Sequence, residues 1–184
     1  MKYYLFLATL LGLFVACEKP ADPFMITKNS VGLLTDSTMI KDLKTIFLND
    51  SLSRFIGGDE FIGSTNTISV YEKASGILLL ELDPNLALDS LSSIRTVRIM
   101  DPRFKNHDGL NKLSTFGDIN SRYLISSIQN TLKNLIISVD KINAYFTLSK
   151  AELPEEMRYN MNSKIEAISI PENAKIKDFY LQWY

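Results

Sequence analysis

One cysteine and one histidine are all that 184 residues supply of the two side chains most used as nucleophile, general base and metal ligand. With a single thiol, Cys17, the chain has no internal disulfide to form. With a single imidazole, His107, it has no histidine pair for a HExxH zinc site. The GxSxG nucleophile elbow, the phosphate-cradling GxxxxGK[ST] loop and the EF-hand loop are missing as well. Neither sign of charge is in excess, since 20 basic residues face 21 acidic ones for a net charge of −1. No basic patch stands out, which argues against a nucleic-acid or polyanion binder. The apolar run over residues 3–15 is shorter than the roughly 20 residues that a membrane-spanning helix needs.

That short run is nevertheless informative. Lys2 gives a positive start, residues 3–15 an apolar core, and Phe14-Val15-Ala16-Cys17 a small-residue cleavage site, so that 1–16 reads as a signal peptide. The last four residues resemble the lipobox of bacterial lipoproteins, with Phe14 in place of the usual leucine. The resemblance implies cleavage before Cys17 and lipid on its sulfur. It implies an address in the cell envelope, anchored to the lipid bilayer of a membrane; the outer membrane, facing the periplasm or the cell surface, is preferred, with the inner membrane the alternative. Two or three acyl chains hold a protein on a bilayer where one does not, each buried methylene contributing about 0.8 kcal/mol. Residues 17–23, with Pro20 and Pro23, then form a short stiff lipidated tether. The competing reading is an ordinary secretory signal with a stray cysteine beside the cut.

Beyond the tether, roughly 160 residues are enough to bury close to 70% of the chain's surface without disulfides. Within them the chain repeats itself. Gly32-Leu33 and Ser37-Thr38-Met39 are answered, at one common offset, by Gly109-Leu110 and Ser114-Thr115-Phe116. Asp42-Leu43 answers to Asp118-Ile119 after a one-residue slip, Ile68-Ser69-Val70 to Ile137-Ser138-Val139, and Ile94-x-x-Val97-x-Ile99 to Ile165-x-x-Ile168-x-Ile170. This order points to an internal duplication.

Each copy reads as a helix followed by strands. Ser37 is placed to cap a helix whose stripe is Met39, Ile40, Leu43, Ile46 and Phe47; Ser114 is placed to cap one whose stripe is Phe116, Ile119 and Tyr123. Gly32 and Gly109 precede the caps, either because a strand turning toward a helix there needs positive φ or as plain solvent-exposed turn glycines. Strand-like runs over 52–56, 68–72, 77–82 and 94–100 follow the first helix, and runs over 124–128, 135–139, 144–148 and 164–170 follow the second. Asp101-Pro102 and Pro171 close the last strand of each copy, a short strand over 24–27 comes first, and 176–183 adds a final one. The expected fold is α+β: two tandem helix-plus-four-strand (αββββ) units, 24–108 and 109–184, the second with the additional C-terminal strand. Antiparallel sheets would carry the helices on one face.

This order of elements resembles the duplicated units of the beta-lactamase inhibitor protein (BLIP-like) and of SmpA/OmlA-type envelope lipoproteins. Ser114-Thr115-Phe116-Gly117-Asp118-Ile119, Asn143-Ala144-Tyr145-Phe146 and Ile170-Pro171-Glu172-Asn173-Ala174-Lys175-Ile176 more specifically resemble uncharacterised lipoproteins of Bacteroidetes. That likeness implies a fold and a location, and no activity.

Candidate functional residues are few. No set of catalytic or metal-ligating side chains emerges, and no cofactor is implied. His107 lies in the turn-like Asn106-His107-Asp108-Gly109, and Glu155-Glu156 after Pro154 fit the first turn of a short helix. Gly57-Gly58-Asp59-Glu60 is either a cation loop or a plain connection. Aromatic residues are the better lead. Alternation along the last strand sends Phe179 and Trp183 to one face and Tyr180 and Tyr184 toward the other, with Tyr145 on a neighbouring strand. All five are candidate binding residues, because Tyr and Trp anchor interfaces. Ser51 and Ser90, read as loop residues within Asp-Ser-Leu, resemble the O-glycosylation acceptors of Bacteroidetes. Two classes of function follow. A non-catalytic lipoprotein binding an envelope protein predicts an aromatic-lined sheet face left bare by the helices. A binder of a small hydrophobic or carbohydrate ligand, less readily a hydrolase, predicts a pocket between the two units with a few converging polar groups.

Overall fold

The computed structural model describes residues 22–54, 67–86, 89–159 and 164–184. The signal segment, Cys17 and Gly57-Gly58-Asp59-Glu60 lie outside the described residues. In chain order the strands are β1 (Met25–Ile26), β2 (Ser30–Val31), β3 (Leu34–Thr35), β4 (Asp50–Arg54), β5 (Ile68–Glu72), β6 (Leu78–Pro84), β7 (Ile94–Ile99), β8 (Lys105–Asn106), β9 (Ser127–Asn130), β10 (Asn134–Val139), β11 (Ala144–Ser149) and β12 (Ile176–Gln182). Three single-turn helices interrupt them: α1 (Leu43–Ile46), α2 (Phe116–Asn120) and α3 (Glu155–Arg158).

The strands make an α+β protein dominated by sheet. Eight pair in the order β4-β5-β6-β7-β12-β11-β10-β9, antiparallel throughout. The short strands form a second sheet, β3-β2-β1-β8, antiparallel except where β1 runs parallel to β8. Residues directly opposite one another in a ladder point to the same face. One apolar row therefore crosses all eight strands: Leu52, Val70, Leu80, Ile99, Phe179, Phe146, Ile137 and Ile128. Leu43 of α1, Ile119 of α2, and Ile26 and Val31 of the small sheet join the same buried cluster. Phe116 packs with Leu135, Leu148 and Leu153 beside it. The helices and the small sheet thus cover one face of the large sheet.

Neither predicted serine cap forms. The Ser37 hydroxyl pairs with Thr35 Oγ1, and Ser114 Oγ accepts from Asn111 N–H. Thr115 caps α2 instead, in a reciprocal box: Asp118 N–H donates to Thr115 Oγ1 and Thr115 N–H donates to Asp118 Oδ2 at 2.9 Å. The first helix has no side-chain cap at all. Both helical segments are instead tied at their start to the chain just ahead of a strand. Ile40 N–H donates to Ser92 O and Ile94 N–H to Thr38 O; Phe116 N–H donates to Ala174 O and Ile176 N–H to Ser114 O. Single turns are marginal on their own, and these bonds hold backbone donors that capping would otherwise have to satisfy. Replacing Thr115 with alanine is expected to cost about 1 kcal/mol. Urea unfolding should register it as a lower midpoint at unchanged slope.

Both glycines take a positive φ, but Gly32 does so in the hairpin turn between β2 and β3 and not where a strand turns toward a helix. Gly32 has φ of +56° and Gly109 of +80°. A Cβ on Gly32 would stand 2.2 Å from Pro23 O, so this position requires glycine twice over.

One predicted strand is wrong. Residues 164–170 hold a 3-10 turn over Ala167–Ser169, with Ile165 and Ile170 buried but Ile168 turned out to solvent. The ladder beside β11 is already filled, by β10 on one side and β12 on the other. The strand read as an extra C-terminal one is the fourth after α2, and it sits at the centre of a single continuous sheet. Alternation also slips in β12, because Thr147 pairs with Asp178 but Leu148 with Ile176, leaving Lys177 as a bulge. Ile176 thereby faces the core and Asp178 the opposite side. Strand β7 carries the same device, with Arg95 bulged between Ile94 and Thr96.

Candidate functional site

The face of the large sheet turned away from the helices bears a second row through the same strands: Ser53, Ser69, Glu81, Arg98, Tyr180, Tyr145, Ser138 and Ser127. Serines flank it, and its centre holds the charged and aromatic residues. Tyr145 and Tyr180 are cross-strand partners whose rings stack at 4.5 Å and 8°. The Arg98 guanidinium stands 5.7 Å from the Tyr180 ring centroid, within cation–π reach. It donates to Glu81 at 2.6 Å and to Asp178 at 2.6 Å, while Thr147 Oγ1 donates to Asp178 at 2.7 Å. Nearby, Thr67 donates to Asp83 at 2.6 Å.

These contacts fix the charge states. Burial pushes the Asp178 carboxyl up, but the hydrogen bonds from Arg98 and Thr147 outweigh it and hold it below the ordinary carboxylate range. Burial lowers the Arg98 value, and its two carboxylate partners more than restore it. Burial, then Tyr180, pushes the Tyr145 phenol up to about 12, so both tyrosines remain neutral donors at any physiological pH. The result is a half-buried aromatic plate beside a guanidinium clamped by two carboxylates. Among the described residues, all three helices send their buried or packed apolar side chains to the opposite face. Nor do any three of the described His, Cys, Asp and Glu side chains gather closely enough to hold a metal ion.

Of the five aromatic candidates, the structure brings Tyr145 and Tyr180 together on this face. Tyr184 is exposed and borders, with Tyr145, Gln182 and Ser138, a depression of about 160 Å³. Phe179 and Trp183 do not belong to it. Phe179 is fully buried against Phe146, and Trp183 is buried with its indole N–H donating to Lys28 O at 3.1 Å. Ser90 is exposed in a turn, whereas Ser51, expected in a loop, is an exposed residue of edge strand β4. Reading the sequence missed Arg98, Glu81, Asp178 and Thr147. Arg98 had a signal of its own, since an arginine between the core residues Val97 and Ile99 must face away from the core. Its acid partner 80 positions on had none.

An open, mostly antiparallel α+β sheet protein with one polar-aromatic face is the class defined by this geometry. No protein-family model and no curated protein matches the chain. Its fold is similar to the crystal structure of the uncharacterised protein YfeY from Escherichia coli, with a TM-score of 0.57 over 86% of this chain and 99% of that one. At 12% identity the likeness is one of fold. No described helix is long and apolar enough to cross a membrane.

Proposed function

We propose that the chain is a non-catalytic, Bacteroidetes-type envelope lipoprotein, anchored through acylated Cys17, that binds another envelope protein with the Tyr145–Tyr180–Arg98 face. The observation that carries the reading is a sheet face that no described helix covers. Tyrosine and arginine are enriched among the residues that contribute most to interfaces, and a stacked pair already fixed by its strands loses little side-chain freedom on binding. The framing carboxylates keep Arg98 in one orientation, which supplies specificity as well as contact.

The body that presents this face is, in the same proposal, a duplicated pair of αββββ units. Three correspondences support it beyond the sequence motifs. The paired hydrogen bonds at Ile40 and Ile94 have counterparts at Phe116 and Ile176. The bulged Arg95 of β7 has its counterpart in Lys177 of β12. Matching the bulges makes Arg98 the counterpart of Tyr180, and these two residues are partners across the β7–β12 ladder. A pseudo-twofold axis would then pass through the middle of the binding face. The slip that shifts Asp42-Leu43 onto Asp118-Ile119 fits this alignment, and the match of Ile94 to Ile165 is replaced by a match to Ile176.

A photo-reactive side chain at Ser138, the cross-strand neighbour of Tyr145, should form one adduct of defined mass in intact cells. The same group at Lys44, on the helix side, should not, and Tyr180→Ala should weaken the Ser138 adduct. Equal adducts at both positions, or indifference to Tyr180→Ala, would sink the proposal. Intact mass of the membrane-extracted protein tests the anchor. The chain should begin at Cys17 with its acyl groups, Cys17→Ser should release it from the membrane fraction, and sugar on Ser51 or Ser90 would appear in the same spectrum.

A further inference from the structure

On the covered side of the sheet, a pocket of about 240 Å³ opens between the small sheet and strands β11 and β12. Its floor is apolar and buried: Ile26, Ala144, Phe179 and Leu181. The space has a cause in the sequence. In the row Ile68, Leu82, Val97, Leu181, Ala144 and Val139, every residue but Ala144 is branched. Ala144 leaves the gap.

The wall and mouth are polar and built. Tyr123 is buried; its hydroxyl donates to Asp108 and accepts from Asn106 Nδ2 at 2.8 Å. Asn106 Oδ1 in turn accepts from the backbone N–H of Asp108 at 3.0 Å and of Leu110 at 2.9 Å. Burial, then Asp108, pushes the Tyr123 phenol up to about 12, so it stays a donor and keeps Asp108 engaged. Lys28, His107 and Lys141 stand exposed at the mouth, and the Lys141 ammonium lies 5.6 Å from the Tyr123 ring centroid. Neither Lys28 nor Lys141 forms an ion pair with a described carboxylate. The mouth therefore offers two positive charges that no described carboxylate pairs, over an apolar floor, with Asp108 already engaged by Tyr123.

We infer that this pocket binds a small amphiphilic carboxylate, its apolar tail on Ala144, Phe179 and Leu181 and its head group between Lys28 and Lys141. The volume lies below the roughly 300–1,000 Å³ of sites for drug-sized ligands, which restricts the occupant to a short chain or a single ring. The site is on the opposite side of the sheet from Tyr145 and Tyr180, so it is independent of the protein-binding proposal.

The test uses the full chain in lipid nanodiscs with 6,6,6-trifluorohexanoate as probe, read by fluorine line broadening against empty nanodiscs. Saturable broadening is expected. The Lys28→Gln/Lys141→Gln double variant, altered only at exposed positions, should bind more weakly by on the order of tenfold. Ala144→Leu, which fills the floor, should abolish binding while retaining a cooperative thermal transition. The uncharged probe 6,6,6-trifluorohexanol should show no saturable broadening. Broadening no greater than with empty nanodiscs, an alcohol that binds as well as the acid, or affinity unchanged in the double-lysine variant would each overturn the inference.

Discussion

Phe179→Ala is expected to lower the unfolding free energy by about 3–5 kcal/mol, the range for truncating a buried aromatic. Its ring is fully enclosed at the centre of the apolar row, tilted against Phe146 at 4.6 Å, with Ile99 opposite on β7. A domain of this size is stable by only about 5–15 kcal/mol, so the variant should sit near the edge of folding at growth temperature. Tyr180, one residue on, supplies the contrast. Tyr180→Ala gives up a stacked pair at a half-buried position, a contribution of about 0.5–1.5 kcal/mol. Urea or thermal unfolding of the two variants measures the difference. Equal losses would mean that the core and free faces of β12 have been exchanged.

Arg98→Met is expected to cost about 2–3 kcal/mol at neutral pH, because it strips the buried Asp178 carboxylate of its cation and leaves it Thr147 alone. Methionine preserves much of the packing of the arginine stem, so the loss is mainly electrostatic. The loss should also depend on pH. In the native protein the Asp178 pKa is depressed. Its stabilisation is therefore present above the unfolded carboxyl pKa of about 3.9 and fades as pH falls through the lower folded value. In the variant, burial acts without Arg98 and raises the folded pKa, so protonation relieves the strain early in an acid titration. The gap between the two proteins should be widest near neutrality and narrow on acidification. A gap constant from neutral to acid pH would show that Asp178 is not the group left exposed to the loss.

Local patterns made much of the fold readable in advance. Alternation gave β5, β10 and β11 nearly to the residue, and Asp101-Pro102 marks the end of β7 as expected. The remainder depends on contacts that no short window contains. Lys164–Glu166 and the turn after it have strand-like spacing, yet β12 already occupies the only free side of β11. Bulges at Arg95 and Lys177 reset the alternation locally, so Asp178 faces the tyrosines although the parity of Ile176 would put both on one side. Ser37 and Ser114 have the composition of caps, but the bonds to Ser92 and Ala174 position both helices without them. Two of the aromatic candidates proved to be core for a related reason. A strand rich in Phe, Tyr and Trp declares two faces, and only its neighbours decide which is buried. The Arg98 cluster draws on four strands, and only its register assembles it.

The position of β12 has a consequence for how the molecule is made. A chain emerging N-terminus first can zip β4 to β7 and β9 to β11 as local hairpins. Among the described residues no strand ladder joins those halves until residues 176–182 arrive and wedge between β7 and β11. Closing that seam links segments some 80 positions apart, a slow step compared with hairpin zippering. Until then two raw strand borders face each other, and each is a template for any foreign strand. A nascent or truncated chain that lacks residues 176–182 is thus the aggregation-prone form of this protein, and the arrival of that strand is what seals it.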